Sequence, residues 1–146
     1  MRILIDADGC PVVDITVRAA RKKRIPCLIL CDTAHVFEKE GAQTLVFPTG
    51  ADSVDFALVN MLQKGDLVVT QDYGLAAMCL ARGAAAISQD GMVYDAHNID
   101  ALLLSRHFAR EYRRAGGRLK GSPGRTAAQD REFEKKLFEL IGEKGD

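Results

Sequence analysis

The sequence predicts one α/β domain over residues 1–146, with a mostly parallel central sheet, crossover helices and further helices towards the C-terminus. Five short runs of β-branched and aliphatic residues, at 3–6, 27–32, 44–47, 67–72 and 85–88, each lead into a polar or turn residue. Helix-like stretches separate them, and that alternation implies parallel strands joined by crossovers. The chain has 146 residues, 47% of them hydrophobic, which supplies one core without disulfides or a structural metal.

Each element has a local reason. The first strand, 3–6, is apolar until Asp6. A helix over 12–24 starts just after Pro11, a residue suited to a first helical turn. The strand 27–32 closes on Asp32, and the strand 44–47 runs into Pro48. A helix over 52–63 has Asp52 or Ser53 as its cap. The strand 67–72 follows, then an Ala-, Leu- and Met-rich helix over 75–82 that stops at Gly83, then the strand 85–88. A longer helix runs from Asn98 or Ile99 to Ala115, with Ile99, Leu102, Leu103, Phe108 and Tyr112 as its apolar face and Gly116-Gly117 as its end. Gly121, Pro123 and Gly124 make 118–128 a basic, flexible loop. A terminal helix over 129–142 carries Phe133, Leu137, Leu140 and Ile141 at i, i+4, i+7 and i+8.

The composition excludes several classes. Twenty basic and twenty acidic side chains cancel, so this is not a protein that coats nucleic acid by bulk charge. No apolar stretch approaches the ~20 residues of a bilayer crossing, and the start lacks the pattern of a secretory leader, so a cytoplasmic location is expected. Cys10, Cys27, Cys31 and Cys79 form no CxxC pair. Cys27 and Cys31 on one strand would stand about 13 Å apart, too far for a disulfide, and read as small core hydrophobes.

The carboxylates carry the chemistry. In an open parallel sheet, ligands bind beyond the carboxyl ends of the strands. Asp6 closes the first strand, Asp8 follows two residues later, and Asp72 closes the strand 67–72. Asp52 and Asp55 lie three apart at the start of a helix, on one face, and Asp90 follows the strand 85–88. Carboxylates gathered at one edge repel unless protons or cations intervene, and hard oxygen ligands suit Mg²⁺ or Mn²⁺. Aspartate is also a common cap and turn residue, which applies most to Asp52 and Asp72. Asp6, inside an apolar strand, is harder to explain that way, because a buried carboxylate without a partner is costly.

The run Ile5-Asp6-Ala7-Asp8-Gly9-Cys10-Pro11 resembles the opening of the YaiI/YqxD family of uncharacterised bacterial proteins. Gly50-Ala51-Asp52-Ser53-Val54-Asp55 and Gly65-Asp66-Leu67-Val68-Val69-Thr70-Gln71-Asp72-Tyr73-Gly74-Leu75-Ala76 resemble it too. So do Gly83-Ala84, the Asn98-Ile99 helix start, and Gly121-Ser122-Pro123 with Thr126, Asp130 and Phe133. That family is regarded as similar to PIN-like domains, three-layer α/β nucleases that cut RNA with Mg²⁺ or Mn²⁺ held by acids. The resemblance implies Asp6, Asp8, Asp55 and Asp72 as metal ligands, with Asp52 and Asp90 auxiliary, and Asp6, Asp8 and Asp72 as the catalytic set. PIN-like nucleases often place a Glu on the contributing helix, where this chain has the shorter Asp52 and Asp55, which leaves open whether one ion or two is held.

RNA or another nucleic acid is the expected partner, a membrane is not, and nothing in the sequence specifies a homo-oligomer. Zero net charge conceals two basic segments. Residues 18–24 carry five basic side chains and no acid, which is also what a solvated helix end looks like. Residues 106–125 carry seven (Arg106, Arg110, Arg113, Arg114, Arg118, Lys120 and Arg125) against Glu111 alone. Arg106, Arg110 and Arg113 recur at helical spacing and can follow phosphates, while Arg118, Lys120 and Arg125 lie on the loop. Tyr73, beside Asp72, can stack on a base, although a Tyr packed near the surface is the commoner outcome, and His35, His97 and His107 lack ligand spacing. Two rival readings remain. One is a noncatalytic RNA-binding or regulatory module. The other is a haloacid-dehalogenase-type phosphatase with Asp6 as nucleophile and Asp8 as acid/base, disfavoured because Gly65-Asp66 precedes its strand instead of following it.

Overall fold

The computed structural model describes residues 1–50, 52–118 and 124–145. Among these there are five strands and five helices, alternating except that β3 follows β2 and α5 follows α4 directly: β1 Ile3–Asp6, α1 Val13–Lys23, β2 Cys27–Asp32, β3 Gln43–Phe47, α2 Ser53–Met61, β4 Leu67–Val69, α3 Tyr73–Ala81, β5 Ala85–Ile87, α4 Ala96–Arg114 and α5 Ala127–Gly145. The strands form one sheet in the order β3-β2-β1-β4-β5, with every pairing parallel. The expected α/β class holds, with a sheet that is entirely parallel.

Both faces of the sheet are covered, which makes three layers. Ile3, Ile5, Cys27, Ile29, Cys31, Leu67 and Val69 alternate onto one face, under Val13, Val17 and Ala20 of α1 and Phe133, Leu137 and Ile141 of α5. Leu4, Leu28, Leu30 and Val68 alternate onto the other, under Val54 and Leu58 of α2, Leu75 and Cys79 of α3, and Ile99 of α4. A parallel strand buried on both faces needs such continuous apolar runs. The four cysteines are free, and Cys27 and Cys31 are small members of one core. No helix among the described residues is long and apolar enough to cross a membrane.

Several boundaries differ from the sequence expectation. The helix α3 begins at Tyr73 instead of residue 75, because the Asp72 side chain accepts the Leu75 N–H as its cap. Similarly, α4 begins at Ala96: Asp95 Oδ1 accepts the Asn98 N–H at 2.7 Å while Asn98 Oδ1 accepts the Asp95 N–H at 2.9 Å, a reciprocal capping box. The helix α5 spans Ala127–Gly145, so the expected loop 118–128 gives its last two residues to the helix and its stretch 119–123, Lys120 included, lies outside the described residues.

The apolar face expected of α4 is corrected more substantially. Ile99 is buried and Leu102 and Leu103 are half-buried against the body of the domain, but Phe108 and Tyr112 are exposed. With 3.6 residues per turn Phe108 and Tyr112 lie on the side of α4 opposite Ile99, and α4, about 28 Å long at 1.5 Å per residue, also runs past α3, about 13 Å long, against which it packs.

Two devices fasten the ends of the sheet. At the edge remote from the strands' carboxyl ends, Asp66 is buried and accepts from Arg2 Nη2 at 2.8 Å, the Arg2 N–H at 3.1 Å and the Gln63 N–H at 2.9 Å. Burial alone raises its pKa, but the Arg2 guanidinium and these N–H groups outweigh burial and hold the carboxyl below the usual carboxylate range. Its stabilisation is therefore present above the unfolded pKa near 3.8 and lost as pH falls through the folded value. Asp66→Ala is expected to destabilise by about 3 kcal/mol at pH 7, by urea unfolding, because it leaves Arg2 and two N–H groups without their acceptor. The deficit relative to the parent should shrink below pH 4.

At the other edge, Gly91 has φ +87, and a Cβ there would lie 3.0 Å from the Glu132 carbonyl oxygen on α5. Gly91→Ala combines left-handed strain with a backbone clash and is expected to cost about 2–3 kcal/mol, read as a lowered urea midpoint at unchanged slope.

Candidate functional site

Because every strand is parallel, all five carboxyl ends open on one edge. There the structure forms an open cavity of about 580 Å³, lined by Asp6, Asp8, Asp32, Asp52, Asp55 and Asp72 together with Cys10, Thr70, Tyr73, Gln89 and Arg106. Topology thus brings together Asp6 and Asp8 after β1, Asp32 at the end of β2, Asp52 and Asp55 at the start of α2, and Asp72 at the start of α3.

Asp6 is the most enclosed of these carboxylates. Its Oδ2 accepts the Thr70 hydroxyl at 2.8 Å, and Thr70 Oγ1 in turn accepts the Asp72 N–H at 3.0 Å. Burial, reinforced by Asp72 and Asp8, raises the Asp6 carboxyl to about 6 despite the Thr70 hydrogen bond. Asp55 also rises to about 6, through burial and then through Asp6, Asp72 and Asp52. Asp8 is raised by burial and by Asp32. These groups sense one another as like charges, and among the described residues Arg106 is the one basic side chain lining the cavity, its Nη1 4.0 Å from Asp72 Oδ1. The arrangement fits a hard divalent cation: oxygen donors, little internal counter-charge, and carboxyls whose ionised form needs a positive neighbour.

The caps are compatible with this site. Asp72 caps α3 with Oδ1 and still faces the cavity. Asp52 precedes α2 with φ 63, a left-handed conformation, and its side chain makes no capping hydrogen bond, so the carboxylate is not committed to the helix end.

Sequence reasoning missed Asp32 and His35. Asp32 Oδ1 accepts the Ala34 N–H at 2.9 Å and the His35 N–H at 3.0 Å, and that turn brings His35 Nδ1 to 3.3 Å from Asp32 and 3.9 Å from Asp8. Among the described residues this is the trio whose donor atoms all lie within 4.8 Å of one another; Asp6, Asp55 and Asp72 line the same cavity at wider spacing. A signal existed for Asp32: it closes β2 as Asp6 closes β1, on the neighbouring parallel strand and at the same edge. The reach of His35 depends on the turn and has no signature in spacing.

Other expected residues lie elsewhere. Asp90 is outside the cavity lining, and its Oδ1 is 3.0 Å from Arg125 Nη1. Arg125 also pairs with Asp130 at 2.6 Å and donates to the Gln89 carbonyl at 2.7 Å, so it clasps the exit of β5 to the start of α5 instead of presenting a free cation to phosphates. Arg110, Arg113 and Arg118 are exposed. Arg106, Arg110 and Arg113 continue the face of α4 that begins with Ile99, so this row leads away from the cavity that Arg106 lines. Tyr73 stands edge-on to Tyr94, ring centroids 6.3 Å apart. Burial pushes the Cys10 thiol up to about 11, which makes it a packed residue and not an activated nucleophile. Asp66 lies at the amino end of β4, across the sheet from the cavity, where it cannot serve a phosphatase centre.

Comparison with known sequences adds the family. The profile of the uncharacterized YaiI/YqxD family matches residues 4–143. A UPF0178 protein of Exiguobacterium sibiricum is 53% identical over 146 residues, covering all of both chains. UPF0178 proteins of Clostridium acetobutylicum and Clostridium tetani are 47% and 40% identical over 143 and 142 residues, each covering 97% of both chains. No solved structure matches at a significant level. With one fold-length match to the profile and full-length relatives at this identity, the chain belongs to the YaiI/YqxD family of UPF0178 proteins.

Proposed function

We propose that the protein is a Mg²⁺- or Mn²⁺-dependent nuclease acting on RNA or another single-stranded nucleic acid. The observation that carries this reading is the convergence of six aspartates on one cavity at the carboxyl edge of the sheet, with Arg106 at its rim and Arg110 and Arg113 along the same helix face. Asp6, Asp8, Asp55 and Asp72 would hold one ion or two, with Asp52 beside them. A bound divalent cation supplies an activated water and neutralises charge at a phosphodiester, chemistry that needs no nucleophilic side chain. Thr70 fixes the Asp6 carboxylate, Asp72 is oriented by its cap, and Arg106 attracts a phosphate to the rim.

The test is incubation with Mn²⁺ and single-stranded RNA, beside an Asp6→Asn, Asp72→Asn double variant. Cleavage by the parent and none by the variant is expected. Cleavage that survives in the variant overturns the assignment. Binding without cleavage in both identifies a noncatalytic module, and phosphate release from small phosphomonoesters, lost in Asp6→Asn, identifies a phosphatase.

A further inference from the structure

The two faces of α4 differ in chemistry. The inward face begins with Ile99, Leu102 and Leu103 and continues through Arg106, Arg110 and Arg113. On the opposite face Ala101, Leu104, Phe108, Tyr112 and Ala115 recur at spacings of three and four. Leu104 is 55% exposed, Phe108 62% and Tyr112 51%, an apolar stripe on the part of the helix that extends past α3. One end of it is fixed in place, since the Tyr112 ring occupies the space that a Cβ on Gly117 would take. A helix segment this short gains little from intrinsic propensity and depends on packing its apolar face.

We propose that this stripe docks against a second copy of the chain, with the two α4 helices antiparallel about a two-fold axis near Phe108. The occupant is specified by charge. One flank of the stripe carries Asp100, His107, Glu111 and Arg114, all exposed, whereas the other carries Ser105 and Ala109. At 1.5 Å per residue Asp100 lies about 12 Å to one side of Phe108 and Arg114 about 9 Å to the other. Antiparallel two-fold pairing sets like flank against like flank, so Asp100 of each copy meets Arg114 of the other and His107 meets Glu111. Parallel pairing would oppose this flank to Ser105 and Ala109 and leave its charges unmatched. Arg114 is 3.1 Å from Glu111 within its own helix, but an exposed pair of this kind contributes little and yields readily to an intermolecular one.

Nucleic acid fits the stripe less well, because Arg106, Arg110 and Arg113 point away from it, so a strand whose phosphates they held would have its bases on the wrong side of the helix. The helix face is about 28 Å long and about 10 Å wide, well short of the ~800 Å² per partner of stable complexes, so the dimer is weak, with a Kd on the order of 10 µM or higher.

Sedimentation velocity on the full chain, from low-micromolar to sub-millimolar concentration, should show a monomer passing to a dimer. Phe108→Glu should remain monomeric with an unchanged melting temperature, since the side chain is exposed. Asp100→Arg should weaken the dimer about tenfold, and combining it with Arg114→Asp should restore it. A parent that stays monomeric throughout, a dimer indifferent to Phe108→Glu, or a charge exchange that fails to restore association would each overturn the proposal. So would a monomeric parent whose binding to a single-stranded RNA oligonucleotide falls with Phe108→Glu, which would assign the stripe to nucleic acid.

Discussion

Asp6→Asn is expected to stabilise the metal-free protein at pH 8 while reducing the proposed Mn²⁺-dependent cleavage by at least about 100-fold. Both effects have one cause. The Asp6 carboxyl is raised from 3.8 to about 6, first by burial and then by the charges of Asp72 and Asp8. A group whose folded pKa exceeds its unfolded value stabilises below the unfolded pKa, and that contribution is lost as pH rises through the folded one. At pH 8 the full penalty of an ionised, buried carboxylate is present; at pH 4 nearly none of it is. Two pKa units correspond to roughly 3 kcal/mol, and allowing for relaxation the gain in Asp6→Asn should be on the order of 2 kcal/mol, or roughly 5 °C in Tm. The amide oxygen can still accept the Thr70 hydroxyl, so the local geometry survives. Thermal melts at pH 8 and pH 4 provide the check. A gain that is equal at both pH values, or absent at pH 8, would show that burial of this charge is not what strains the site. Mn²⁺ should stabilise the parent by about 2.7 kcal/mol at one hundred times its Kd, and much less in the variant.

Phe133→Ala should be the most damaging single truncation, at about 3–5 kcal/mol by urea unfolding. Phe133 is fully buried and, with Leu137 and Ile141 one and two turns on, seals one face of the sheet against α1. The Arg125 clasp ties the start of α5 to the exit of β5, and the α5 backbone at Glu132 and Phe133 lies directly against Gly91, so the backbone around residue 133 has little freedom to collapse into the cavity the ring leaves. Phe138→Ala supplies the internal control. That ring is only partly buried, with the Lys22 ammonium 5.7 Å from its centroid, and its loss should cost about 1–2 kcal/mol. A cost below about 1 kcal/mol for Phe133→Ala would mean that α5 is not part of the cooperative core.

Much of this arrangement was legible in the residues, for definite reasons. A β-branched run that ends on Asp6 fixes both the strand and the edge to which its carboxylate belongs, and Asp8, Asp55 and Asp72 follow strand exits or open helices at that same edge, so their convergence is readable from the residues. What was not legible depends on partners distant in sequence. Arg125 counts as a free cation until Asp90 and Asp130 are found beside it. Phe108 and Tyr112 recur at helical spacing, but 3.6 residues per turn sets them opposite Ile99, so their periodicity belongs to a second, outward stripe. His35 joins Asp8 and Asp32 only because a turn folds back onto the Asp32 carboxylate.

The flush register of the inner strands has a consequence for how the family can vary. Ile3 stands level with Cys27 and with Leu67, and Leu67 with Ala85, so these strands start in step. The position of each acid is then a count of residues from a common baseline. Inserting one residue within β1 would carry Asp6 about 3.3 Å outward and turn it to the opposite face, while the same insertion in a connection at the amino edge would leave every carboxylate where it was. Length changes among relatives should therefore collect at the amino edge and spare the strands that carry the acids.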